Sequence, residues 1–109
     1  MKSKILEKIK EQGGEIYATE LQYMMPEYAE ARHNNAELYV YSEGKKKILL
    51  THINEQLMHD LVDLVDNKVI KVIEVSMEEL LSAGAPVYAC LPGKAEWMPA
   101  KIIAMEANQ

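Results

Sequence analysis

The chain has 109 residues, of which 49% are apolar and 27% charged, and carries a formal net charge of −5. That length suits one domain with a single core, and the composition excludes a disordered or fibrous chain. No apolar run approaches the roughly 18 residues of a membrane span, and the lone cysteine, Cys90, excludes an internal disulfide.

The charged start, Met1-Lys2-Ser3-Lys4, lacks the apolar stretch of a signal peptide. With a single cysteine, the expected compartment is the cytoplasm. Phe is absent, whereas there are seven Met and six Tyr, so Met and Tyr are expected to fill the core in its place. Charge is unevenly spread. Residues 1–51 hold eight Lys or Arg against eight Asp or Glu, and residues 52–109 hold four against nine, so the negative excess belongs to the second part.

A first helix is expected from Ser3, a suitable N-cap, to Gln12, with Ile5, Leu6 and Ile9 as its apolar stripe. Gly13-Gly14 ends it through a left-handed position. Glu15-Ile16-Tyr17 is extended. Thr19-Glu20-Leu21-Gln22 has capping-box spacing and opens a second helix carrying Leu21, Met24 and Met25 inward. Pro26 ends or kinks it, or opens a third helix over residues 27–33.

Residues 37–50 form two strand-like runs around Ser42-Glu43-Gly44, and the turn leads into Lys45, Lys46 and Lys47. Residues 53–66 are the clearest helix. At about 100° per residue, Ile53, Leu57, Met58, Leu61, Val62, Leu64 and Val65 sweep one half of the wheel. Glu55, Gln56, His59, Asp60, Asp63 and Asp66 fill the other half. Asn54 is the N-cap, with Ile53 and Met58 as a hydrophobic staple.

Residues 69–75 are β-branched and nearly all apolar, as in a central strand. Ser76-Met77-Glu78-Glu79 caps a short helix that Gly84 terminates. Residues 86–91 read as a strand and Leu91-Pro92-Gly93-Lys94 as a type II turn. A returning segment bears Trp97, and residues 101–105 fit either a strand or a helical turn. The expected architecture is α+β over residues 1–109, one compact unit without repeats. Helix, strand, helix, helix and hairpin occupy 1–51, with an amphipathic helix and a small sheet over 52–109.

Few constellations carry chemistry. His33, His52, His59 and Cys90 lack the paired spacing of a zinc site. His52 and His59 stand roughly 10 Å apart along a helix axis, too far to share an ion. No phosphate-loop, Rossmann or nucleophile-elbow glycine pattern occurs, so no metal, cofactor or catalytic residue is expected. Glu55, His59 and Asp63 stack on one helical face, which reads as a solvated acidic surface rather than a proton relay.

Helix, short strand, helix and a Lys-tipped hairpin resembles the element order of the winged helix-turn-helix superfamily. There the third helix enters the major groove and the wing touches the backbone. The resemblance implies a reading role for residues 27–33, with Arg32, and a backbone contact for Lys45, Lys46 and Lys47. One Arg and one His against two Glu in 27–33 suit phosphates poorly. Two functional expectations follow. The first is a non-enzymatic protein-interaction module whose acidic helical face, Glu55, His59, Asp60, Asp63 and Asp66, docks a basic protein partner. The alternative is a winged-helix DNA-binding regulator. No membrane partner is expected, and residues 69–75 or the Trp97 segment are candidates for a homodimer interface.

Overall fold

The computed structural model describes residues 2–25, 36–88 and 96–105. In chain order these form α1 (Lys2–Glu11), β1 (Glu15–Tyr17), α2 (Ala18–Met24), β2 (Ala36–Ser42) and β3 (Lys45–Ile53). They continue as α3 (Glu55–Asp66), β4 (Ile70–Glu74), α4 (Met77–Ser82), β5 (Glu96–Trp97) and β6 (Ala100–Ala104). The α+β class is as expected. The 27–33 segment with Arg32, and the Leu91-Pro92-Gly93-Lys94 turn with Cys90, lie outside the described residues.

Local chemistry explains most boundaries. The Ile9 carbonyl accepts from the Gly14 N–H at 3.0 Å, and both glycines take positive φ, so α1 ends where only Gly turns cheaply. Ser3 lies inside α1 rather than capping it. The Thr19 capping box does not form either: α2 begins at Ala18, its N-cap is Tyr17, and Thr19 is buried in the first turn. Asn54 caps α3 by accepting from the N–H groups of Gln56 (2.7 Å) and Leu57 (3.4 Å). Ser76 caps α4 by accepting from the Glu79 N–H at 3.0 Å. Glu43 and Gly44 both have positive φ, the signature of the two-residue type I′ hairpin turn.

The strands build two three-stranded sheets, ordered β1-β6-β4 and β2-β3-β5. β6 runs antiparallel to both its neighbours. The hairpin β2–β3 is antiparallel, and β5 joins β3 in parallel. Residues 101–105, ambiguous from sequence, therefore supply the central strand of the first sheet. Residues 69–75, expected to be central, supply instead an edge: among the described residues β4 has a neighbour on one side only. Residues 86–88, the described part of the strand expected over 86–91, form no regular element.

The sheets are tied together through the β5–β6 junction. The Met98 N–H donates to the Ile48 carbonyl and the Val75 N–H to the Pro99 carbonyl, each at 2.9 Å. One contiguous core draws Ile5 and Ile9 from α1, Leu21 from α2, Leu49 and Leu50 from β3, Leu57 and Leu61 from α3, and Ile102 from β6. Ile48, Leu49, Leu50 and Thr51 are all buried, so β3 is covered on both faces. A smaller cluster of Val75, Leu80 and Ala85 seats α4, with Tyr17 and Trp97 against it. Among the described residues no helix is long and apolar enough to cross a membrane.

Candidate docking groove

The sequence wheel of α3 and its seating in the fold differ by a rotation. Leu57, Leu61 and Leu64 are buried as expected, and so is Asp60, at 6% exposure. Val62 and Val65, on the far flank of the apolar arc, are 40% and 38% exposed. The helix is rolled roughly 60° toward its Asp60 side, at 100° per residue. Each half-open valine forgoes on the order of 1 kcal/mol of burial. Asp60 accepts from the Gln56 side-chain amide at 2.8 Å, which answers part of its desolvation.

The two valines open into a groove of about 690 Å³ between β2, α3 and β4. Tyr39 and Tyr41 stand on the β2 wall, Ile70 and Val72 on the β4 wall, and Met105 also lines it. Successive residues of both strands, Leu38 to Ser42 and Ile70 to Val72, line it. A strand that lines a cavity with successive residues presents its edge, because side chains alternate between faces.

Charges ring the groove. Glu74 is taken by Lys47 at 3.9 Å, whereas Asp66, Lys68 and Lys71 have no ion-pair partner among the described residues. Lys46 sits 4.3 Å over the Tyr39 ring, and the Tyr39 hydroxyl donates to Glu37 at 2.7 Å. That bond to a carboxylate is the main reason the phenol's pKa is raised.

The sequence-predicted residues separate accordingly. Glu55 and His59 are exposed and face each other at 3.6 Å, and Asp63 and Asp66 are exposed too. Asp60 leaves this surface because the roll turns it inward. Lys45 and Lys46 are exposed at the hairpin tip, but the Lys47 side chain is only 14% exposed and held by Glu74. No group of three or more His, Cys, Asp or Glu among the described residues is placed to hold a metal ion. The groove was missed in the sequence because Val62 and Val65 read there as core; the only hint was an apolar arc wide enough to exceed one packing face. The chain matches no known protein family, curated protein or solved structure.

Proposed function

We propose that this protein is a non-enzymatic interaction module that receives a segment of a partner protein in the groove between β2, α3 and β4. The observation carrying this reading is the roll of α3, which turns an acid inward and leaves two valines to solvent. Covering Val62 and Val65 recovers apolar burial that the isolated chain forgoes. Asp66, on the shoulder of the groove, receives a basic side chain of the same partner and sets its register.

A phage-displayed library of random nine-residue segments, panned against the intact protein, tests this. Enrichment of apolar segments with a basic flank is expected, with binding weakened at least tenfold by Val65→Asp and severalfold by Asp66→Asn. Selections that return the same pool from wild type and Val65→Asp end the reading.

A second reading rests on the hairpin tip, where exposed Lys45 and Lys46 adjoin Tyr39 and Tyr41. Lysine beside an exposed aromatic ring suits a nucleic-acid backbone and base. Titration of labelled duplex and single strand at low salt decides it. Binding must fall with salt and with Lys45→Ala plus Lys46→Ala for this reading to hold.

A further inference from the structure

The edge of β4 can be assigned group by group. Val69 accepts from Met105, and the Val75 N–H donates to Pro99, so these two residues turn their backbone groups toward β6. In an antiparallel pair each residue directs its N–H and C=O to the same side, and successive residues alternate. Lys71 and Ile73 therefore bond β6, while Ile70, Val72 and Glu74 aim three N–H and three C=O groups away from it, toward the groove. Six backbone groups thus face an apolar slot, without a strand partner among the described residues.

We infer that the groove's occupant is an extended polypeptide segment that adds to β4 as a further strand. The inference rests on the docking reading above and specifies its binding mode. A lipid chain or a packed helix covers Val62 and Val65 but leaves the six edge groups desolvated and unpaired, each at a penalty. A strand satisfies them. Size agrees: five residues of strand occupy about 16 Å by 5 Å by 10 Å, on the order of 800 Å³, against the groove's 690 Å³.

Charge specifies the segment. The inner face of this sheet is buried at Ile16, Ile70 and Ile102, so inward side chains of an added strand are apolar and rest on the α3 valines. The outer face carries the Lys101–Glu15 pair at 3.4 Å, and beyond it Lys71 stands at the edge with no acid opposite. A carboxylate on an outward position of the segment completes that row. The occupant alternates apolar residues with polar ones and includes an acid beside Lys71.

Amide hydrogen exchange by NMR, on the intact protein with and without a segment selected by panning, tests this. The Ile70, Val72 and Glu74 amides are expected to exchange fast in the protein alone and to slow at least tenfold when the segment binds. N-methylation of the segment's edge-facing amides should weaken binding about tenfold or more, and methylation at the alternate positions should not. Val72→Pro breaks no ladder bond to β6 but removes an outward N–H, so it should weaken binding well beyond Val72→Ala, which controls for the side chain packed on the core. Segments that bind, lose affinity with Val65→Asp, yet leave those three amides unprotected overturn strand addition and keep groove docking. Failure of any segment to depend on Val65 overturns both. Concentration-dependent self-association that protects the same amides makes the occupant a second copy and overturns the proposal as stated.

Discussion

Tyr88 binds two groups from two distant parts of the chain, which also bond each other. Its hydroxyl donates to the Gln22 side-chain oxygen at 2.7 Å and accepts from the Thr51 N–H at 3.0 Å, while the Gln22 amide donates to the Thr51 carbonyl at 3.1 Å. The cause lies in the hairpin, whose register slips on either side of Leu38. Such a bulge takes backbone groups out of the ladder, and His52, at φ +56, follows. Tyr88→Phe should therefore cost about 1–3 kcal/mol by orphaning a buried N–H, measurable by urea denaturation. Burial, partly offset by the Thr51 N–H, pushes the Tyr88 hydroxyl up to about 12 from an ordinary 10. With the folded value raised, the phenol's contribution is complete below pH 10 and is lost as pH rises from 10 through about 12. The stability gap between wild type and Tyr88→Phe should narrow across that window. Thr19 presents the reverse case, a buried hydroxyl without a hydrogen-bond partner among the described residues. Thr19→Val should leave stability unchanged or raise it by about 1 kcal/mol in the same assay.

At the scale of elements, α3 separates pattern from position. Asn54 as cap, the helix span and the Leu57, Leu61, Leu64 stripe were all legible, because capping and a 3.6-residue period are local properties. The roll was not. An apolar arc that covers half the wheel allows several seatings, and the neighbours in space choose one. Leu61→Ala should cost roughly 2–5 kcal/mol in denaturant unfolding. Val65→Asp, two-fifths exposed on the same arc, should cost less, about 1 kcal/mol. Equal losses at both positions would mean that the groove is closed in solution. Strand identity behaved similarly. The β-branched run 69–75 was readable as a strand, but the place of β4 at an edge, with β6 in the centre, depends on pairings made more than 25 residues away.

For the whole molecule, the continuous core ties both sheets and three helices together, and the β5–β6 junction links the sheets through backbone bonds. The described residues have a radius of gyration of 13.3 Å, near the 13 Å or so of a compact domain of this length. Unfolding is expected to be a single cooperative transition. Trp97, the one tryptophan, packs edge-on against Tyr88 at 5.2 Å between ring centroids and reports on the second sheet. Its fluorescence and far-ultraviolet circular dichroism should give coincident midpoints in urea. A fluorescence transition that precedes the loss of helix would show the two sheets melting separately.

What the chain order of residues determined alone is the α+β class, the helix caps at Asn54 and Ser76, the glycine stop after α1 and the hairpin turn. Each depends on side chains and dihedral preferences within a few residues. Only the tertiary structure decided which strands stand at an edge, which way α3 rolls and where Asp60, Val62 and Val65 face. Those outcomes come from competition among distant surfaces for burial, and a local pattern broad enough to suit several partners does not select among them.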